Sequence, residues 1–277
     1  MNGNRRGALN STALALIPLA IAINIAGGQL VKVLKLPIYL DSIGTVLTGA
    51  LLGPWVGLIT GLLSNTIWTL IGLDQFALSF APVAGVIGLI AGLAGRAGFF
   101  QRAAPRWLSA LIGGVFLFAL ALFVLLFVNA STGADGSTVL PNAGDLIAQN
   151  PLVFAVALLA GLAAGYFVLK NAGYAGLAGL ATGVLAAIVS APIAAYMFGG
   201  VTGAGTDALV AAFRATRASI LASAFAQGTV SDPFDKMTSF MIVYLIIQSL
   251  PQRLLQRFPN ARGRQSAAVP AQPVASR

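Results

Sequence analysis

Apolar runs of about twenty residues recur along the whole chain, and they limit the fold more than any other feature. A run of that length, coiled as an α-helix, crosses a hydrocarbon core about 30 Å thick. Only 8% of the residues are charged, against about a quarter in a typical soluble domain. Because lipid offers the backbone no hydrogen-bond partners, a membrane-spanning segment of this kind must be helical. The sequence therefore predicts an all-α, polytopic membrane helical bundle.

The runs predict about eight spans and one further helix. Segment 206–228 is helix-like and long enough to cross, but counting it as a span would move the arginines of 253–264 to the outer side. We therefore interpret it as a re-entrant or interfacial outer helix. The first run is too long for the apolar region of a signal peptide and is interpreted as a retained helix. The predicted spans are 12–33, 37–53, 54–72, 77–95, 107–129, 151–169, 173–199 and 234–251. The last of them has a start signal, with Ser231 or Asp232 as N-cap, Pro233 in the first turn and Asp235 near the helix dipole.

The charges orient this bundle. Basic residues accumulate on the cytoplasmic side of membrane proteins. With the N-terminus inside, most of the basic residues lie inside and all seven aspartates lie at the outer side. The prediction is a multi-pass protein of the cell (plasma) membrane with both termini cytoplasmic. The basic residues that this topology does not explain are Lys32, Lys35, Arg214, Arg217 and Lys236.

The same topology divides the chain into three parts. Residues 1–11 form a cytoplasmic N-terminus, and residues 12–258 form the transmembrane helical domain. That domain includes an outer loop over 129–150, which is rich in Gly, Ser and Asn. Residues 259–277 are polar and interrupted by proline, which predicts a disordered cytoplasmic tail.

Composition excludes several kinds of chemistry. The chain has no cysteine, histidine or glutamate, so it lacks disulfides, thiol nucleophiles and the usual ligands of zinc or haem. Little remains for acid–base catalysis, and we expect neither an enzyme nor a cofactor or metal. The net charge of +9 does not indicate nucleic acid, because the basic residues cluster at the ends of apolar runs. The lipid bilayer is the partner that this pattern indicates.

Polar residues near the outer ends of spans are candidates for substrate binding. Asn24 and Gln29 lie in the outer half of span one, where they either bind a ligand or form hydrogen bonds between helices. Asp41 begins span two, and a carboxylate there also suits a helix N-terminus. Asn65 and Trp68 end span three, and Trp68 also fits an interfacial aromatic belt.

Arg214 and Arg217 are the sharpest candidates. They are three residues apart in segment 206–228, a spacing that places both on one helix face. Two interpretations remain open. The guanidinium groups either pair with Asp207, Asp232 or Asp235, or bind a carboxylate or phosphate of a substrate in a bidentate manner.

Small residues mark two faces that allow close helix contact. Pro54 ends the short second span, so residues 37–72 predict a tight helical hairpin. Its second arm carries glycine at four-residue spacing, and span one carries a similar alanine pair. Either face packs within the bundle or contacts a partner protein. The candidate interface residues are Gly53, Gly57, Gly61, Ala22 and Ala26.

Three stretches resemble the substrate-binding S components of energy-coupling factor (ECF) vitamin transporters. They are YLDSIGTVLTGALLGPWVGLITGLLSNTIW (39–68), SAPIAAYMFGGVTGAGTD (190–207) and SDPFDKMTSFMIVYLIIQSLPQRLLQRFP (231–259), and the resemblance covers about half of the chain.

The resemblance implies a small all-helical membrane protein that binds a vitamin or precursor near the outer face. Its partners would be a transmembrane coupling subunit and two cytoplasmic ATPases. In that family an alanine-spaced motif on the first helix contacts the coupling subunit, and Ala22 with Ala26 is the nearest match here. The family usually has six spans rather than eight, and this alanine pair lies far from the cytoplasmic end of span one.

These features together predict a membrane transport component. It would capture a small organic nutrient outside and deliver it with an ATP-driven coupling complex, since the chain has no nucleotide-binding motif of its own. One alternative is a multi-span membrane sensing module. Another is a stand-alone ion-coupled secondary transporter, which would need a carboxylate within the membrane, whereas the predicted topology places every aspartate at a membrane edge.

Overall fold

A computed structural model describes residues 11–34, 36, 38–133, 138–215 and 217–262. The predicted cytoplasmic N-terminus lies outside these residues except for Ser11, and so does the tail beyond Arg262. Within the described ranges the chain is helical apart from connecting segments and one short hairpin of two strands. The α-helices are α1 Ser11–Val33, α2 Ile43–Leu52, α3 Pro54–Leu70, α4 Ala81–Ala97, α5 Arg106–Val128, α6 Ala143–Gln149, α7 Pro151–Phe167, α8 Gly173–Phe198, α9 Asp207–Ala215, α10 Ile220–Ser249, α11 Gln252–Leu255 and α12 Pro259–Arg262, and a 3₁₀ helix spans Ala77–Phe80.

The break at Gly53–Pro54 forms the predicted hairpin between α2 and α3. Gly53 adopts φ 109°, a left-handed conformation that glycine reaches without steric cost. Pro54 follows as the first residue of α3, where its missing N–H leaves no hydrogen bond unmade. The hairpin packs against α1 and α4, so α2 lies at the centre of the first half of the bundle.

The glycine ladder packs inside the chain. A Cβ added at Gly57 would lie 2.4 Å from the Gly88 carbonyl oxygen, and one added at Gly61 would lie 2.3 Å from that of Ala84. Both contacts belong to α4, which therefore occupies the face predicted as a partner interface. The interpretation of Gly57 and Gly61 as partner contacts is wrong, because their missing side chains allow two helices of the same chain to touch. Gly53 forms the turn between α2 and α3.

The second half of the bundle is built on α8 and α10, with α5 and α7 paired beside them. The last span was predicted to begin at Ser231 or Asp232, ahead of Pro233. Instead α10 begins at Ile220, where the Ser219 side chain accepts a hydrogen bond from the N–H of Ala222 (3.1 Å). Pro233 then lies inside a 30-residue helix. The local start signal is overridden because the helix packs along α8 on both sides of the proline.

The predicted outer helix over 206–228 is therefore two helices. The first is α9, Asp207–Ala215, and the second is the beginning of α10. The chain turns between them, with Arg217 at φ 65°. Consequently Arg214 and Arg217 do not lie on one helix, which corrects the spacing argument.

Four helical segments of the described residues are long and apolar enough to cross a membrane, namely Leu14–Val33, Ala77–Ala97, Arg106–Val128 and Gly173–Phe198. A fifth is reached if Ala143–Gln149 and Pro151–Phe167, bent by 91° to one another, count as one span. The predicted eight spans are thus not confirmed. The clearest reason is α2, whose 10 residues rise only about 15 Å.

Two connecting regions are more ordered than predicted. The loop over 129–150 contains the hairpin of β1 (Ser131–Thr132) and β2 (Thr138–Val139), followed by α6. At the other end of the chain, Asn260 of α12 donates to the carbonyl oxygens of Gly49 (3.4 Å) and Ala50 (3.1 Å). The predicted disordered tail therefore begins with a short helix that contacts α2, and residues 263–277 lie outside the described residues.

Candidate ligand-binding cavity

A cavity of about 130 Å³ lies where the ends of several helices meet. Since one water needs about 10–15 Å³ on this measure, the space holds about ten water-sized groups. Its wall is formed by α1, α3, α4, α8, α9 and α10, by the 3₁₀ helix, by Leu36, and by the segments 38–42, 74–76 and 200–207. The larger apolar side chains of the wall are Val31, Leu36, Ile38, Trp68, Phe76, Phe80, Val83, Ile87 and Val210.

A group of buried charges lies beside this apolar wall. Asp235 is 0% exposed and Lys236 is 3% exposed, both near the middle of α10. The Lys236 Nζ forms ion pairs with Asp235 and with Asp41, the latter at 3.3 Å, and donates to Ser42 Oγ (3.2 Å). Removing such charges from water is costly unless each has close partners. The partners of Lys236 meet that condition and fix the position of its ammonium group.

Asp235 also holds the segment between α1 and α2. One of its oxygens accepts hydrogen bonds from the backbone N–H of Tyr39 (3.0 Å) and of Leu40 (2.8 Å). Leu40 has φ 49°, a conformation that costs a bulky residue about 1–3 kcal/mol. The two charge-assisted hydrogen bonds offset that cost.

Asp232 differs from Asp235 because it lines the cavity. Its side chain is 4% exposed and accepts hydrogen bonds from Ser190 Oγ and Ser231 Oγ, each at 3.3 Å. In the described part of the chain, no lysine or arginine lies within ion-pair distance of it.

A network of hydroxyls joins two of the segments that cover the cavity. The Tyr39 hydroxyl lies 2.9 Å from Thr206 Oγ1 and accepts a hydrogen bond from Gln227 Nε2 (3.2 Å). Asp207 holds the segment 200–207 in place, because its carboxylate accepts hydrogen bonds from the backbone N–H of Thr202 and from the Thr202 hydroxyl (2.9 Å).

Three predicted site residues line the cavity: Asp41, Asn65 and Trp68. The Asn65 amide donates to the Ala77 carbonyl oxygen (3.0 Å) and so fixes the start of the 3₁₀ helix. Trp68 is 5% exposed, and its Nε1 has no hydrogen-bond acceptor among the described residues. The indole ring reaches Gly28, where an added Cβ would lie 2.1 Å from Trp68 Cη2.

Asn24 lies outside the cavity wall and serves the bundle instead. Its Oδ1 accepts from the backbone N–H of Gly44 (2.7 Å) and of Thr45 (3.3 Å) in the first turn of α2. Its Nδ2 donates to Thr45 Oγ1 (2.7 Å) and to Ser64 Oγ (3.1 Å). The side chain therefore caps α2 from α1 and ties both helices to α3. Gln29 is half-buried and also lies outside the wall.

Arg214 and Arg217 are exposed and are not part of the cavity wall. The Arg214 guanidinium donates to the Ala218 carbonyl oxygen at 3.4 Å, within its own turn. The structure therefore brings Asp41, Asn65 and Trp68 together but leaves the two arginines outside that group.

The sequence interpretation missed several residues that line or support the cavity. A signal was present, because Asp232, Asp235 and Lys236 place three charges within five residues of an apolar run. In the sequence these charges fit the N-terminus of the last predicted span, where acids suit the helix dipole. Tyr39 and Gln227 had no signal of their own, since their roles depend on contacts between segments that are about 190 residues apart.

Fold and cavity define a helical bundle with membrane-length apolar helices and, between helix ends, a mostly apolar cavity that also carries charged side chains. Among the described residues, no group of three or more acidic or other metal-binding side chains is placed to hold a metal ion. No family model matches the chain, and searches of curated proteins and of solved structures found no significant match.

Proposed function

We propose that this protein is a membrane transport component that binds a small organic nutrient, such as a vitamin or precursor, at the outer face. The observation that carries the proposal is the cavity, in whose wall ion pairs hold charged side chains in place. Mostly apolar walls with a few placed polar groups are typical of small-molecule sites. Lys236 and the aspartates at this cavity orient a ligand rather than supply chemistry.

The position of the cavity supports this proposal. Its wall uses the C-terminal ends of α1, α3 and α8 and the N-terminal parts of α4 and α10. In the predicted topology all of these ends lie at the outer side. The segments 38–42 and 200–207 cover the cavity and meet through the contact of Tyr39 with Thr206. Breaking a few hydrogen bonds would therefore open it.

The proposed assembly follows the resemblance to S components. A transmembrane coupling subunit and cytoplasmic ATPases would supply the energy. Ala22 and Ala26 are exposed on α1 and offer a small-residue face for the coupling subunit. The proposed location is the cell membrane, with eight crossing segments and both termini cytoplasmic.

One observation favours a second candidate, the stand-alone secondary transporter. Asp232, Asp235 and Lys236 are buried within a 30-residue helix, rather than at its end as the sequence indicated. Carboxylates in such positions are typical of ion-coupled transport.

Mass spectrometry of small molecules that co-purify with the detergent-solubilised protein tests the binding function. We expect a nutrient-sized molecule to co-purify with the unaltered chain. It should be lost from the Ala194→Leu variant, because the larger side chain projects from the wall and fills the cavity. Ala160→Leu, on the exposed face of α7, is the matched control. Equal retention by both variants, or no bound molecule in the unaltered protein, would contradict the proposal.

Transport in liposomes separates the two candidates. A transport component of the first kind takes up the bound nutrient only when the coupling complex and ATP are present. Uptake by the purified chain alone, driven by an ion gradient, would replace the first candidate with the second.

A further inference from the structure

The charge around the cavity is opposite in sign to the net charge of the chain. The protein carries 16 basic and 7 acidic residues, for a net charge of +9. Five of the seven aspartates belong to the cavity, since Asp41, Asp74, Asp207 and Asp232 line it and Asp235 lies directly behind it. Among the described residues, two lysines, Lys32 and Lys236, lie there.

Most of these acids have a partner within the protein. Asp74 pairs with Lys32 at 2.7 Å, and Asp207 accepts hydrogen bonds from the segment that it supports. Asp41 and Asp235 share the single ammonium of Lys236. Asp232 is left with two long hydroxyl contacts at 3.3 Å. This carboxylate is 4% exposed, and no ammonium or guanidinium of the described residues lies within ion-pair distance of it, although its wall position would allow one to approach.

A second unmet group lies in the same wall. Trp68 Nε1 is a buried donor with no acceptor among the described residues. Leaving such a donor unpaired costs about 1–3 kcal/mol. Indole can only donate, so the group that satisfies it must carry an acceptor atom.

We propose that the cavity selects a ligand with a positively charged nitrogen group, which pairs with Asp232, and with an acceptor atom elsewhere, which receives the Trp68 N–H. This inference rests on the proposed binding function and names its substrate class. The apolar side chains of Phe76, Phe80 and Val83 match an organic body of about ten non-hydrogen atoms. A bare metal ion fits less well, because the described residues hold no cluster placed to ligate one.

Three probes of one shape test the charge requirement. They are para-(aminomethyl)benzamide, para-(hydroxymethyl)benzamide and para-carbamoylbenzoate, which are cationic, neutral and anionic at neutral pH. Calorimetric titration of the detergent-solubilised protein should show the cation binding at least about tenfold tighter than the neutral probe, as expected for a charge-assisted contact. Equal or tighter binding of the neutral or anionic probe, or no binding of the cation, would overturn the inference.

Matched variants test the roles of Asp232 and Trp68. Asp232→Asn keeps the shape and removes the charge, and it should remove the preference for the cation over the neutral probe. Asp145→Asn, at an exposed carboxylate of α6, should retain it. An unchanged preference in Asp232→Asn would exclude this carboxylate as the cation partner.

Trp68→Phe removes the N–H and keeps an aromatic ring. It should weaken the binding of para-(aminomethyl)benzamide by about three- to tenfold. The affinity for benzylamine, which lacks the carbonyl, should change by less than about twofold. Equal losses for both probes would overturn the role of Nε1.

Failure of this inference differs from failure of the proposed function. If a neutral or anionic molecule co-purifies and is lost from Ala194→Leu, the cavity still binds a nutrient and only its charge class is wrong. If no molecule depends on the cavity and none of the three probes binds, both proposals fall.

Discussion

Buried polar side chains of this protein divide into those with every partner present and those with a partner missing. Asn24 and Asp235 each bind two backbone N–H groups and hold connecting segments in place. Asp232 and Trp68 lie in the cavity wall with unmet capacity. Because an unmet buried group costs more than a satisfied one contributes, two such groups in one cavity wall support the proposed ligand.

Asn24→Ala should destabilise the protein without weakening ligand binding. The substitution leaves two N–H groups at the start of α2 without their acceptor and removes a link to α3, at a cost of about 2–3 kcal/mol. The free energy of unfolding in detergent measures the first effect, and titration with para-(aminomethyl)benzamide measures the second. Asn129→Ala, at an exposed amide after α5, should change stability by less than about 0.5 kcal/mol. A large loss of affinity without a loss of stability would instead place Asn24 in the binding site.

The candidate site could be predicted only in part. Asp41, Asn65 and Trp68 were found because polar residues stand out at the ends of apolar runs. The same reasoning selected Asn24, whose partners all lie on neighbouring helices, and Arg214 with Arg217, whose helix ends between them. Sequence spacing identifies a polar group in an apolar segment, but it does not say which neighbouring segment the side chain faces.

At the scale of elements, glycine decides which helices touch. The ladder on α3 meets α4 through backbone atoms, and Gly179 and Gly183 of α8 meet α10 in the same way. An added Cβ at Gly183 would lie 2.3 Å from the Cα of Pro233. This close packing explains how α10 continues through a proline, because α8 supports the helix on the side where its own hydrogen bond is missing.

Gly57→Leu and Ala22→Leu should have opposite consequences. Leucine at Gly57 has no room against Gly88, so unfolding free energy should fall by about 3 kcal/mol or more. Leucine at Ala22 lies on an exposed face and should leave stability within about 0.5 kcal/mol. Under the proposed function, Ala22→Leu should retain ligand binding and lose co-purification with the coupling complex. Unimpaired co-purification would remove the alanine face from the proposed interface.

At the scale of the whole molecule, acidic residues gather at one end of the helices. The cavity, its covering segments and five aspartates lie at the end predicted to face outward. This distribution gives a basic chain a locally negative binding site. Its orientation in the membrane decides whether that site meets the external medium.

Single cysteines test the orientation, since the chain contains none of its own. A cysteine at Ser131, in β1, should react with a membrane-impermeant reagent added outside intact cells. A cysteine at Ser266 should react only after the membrane is opened. External labelling at position 266 would refute the arrangement of eight crossing segments with both termini inside.

The sequence by itself determined that the chain forms apolar helices, where most of them begin and end, and that α2 and α3 reverse direction at Gly53–Pro54. These properties depend on neighbouring residues, through hydropathy, proline and glycine, and neighbours are visible in a sequence. Only the tertiary structure decided that α10 extends back to Ile220, that the glycine ladder faces α4, and that Asp41 meets Lys236 across 195 positions. Each of these depends on contacts between distant segments, where packing and the pairing of buried charges outweigh local preference.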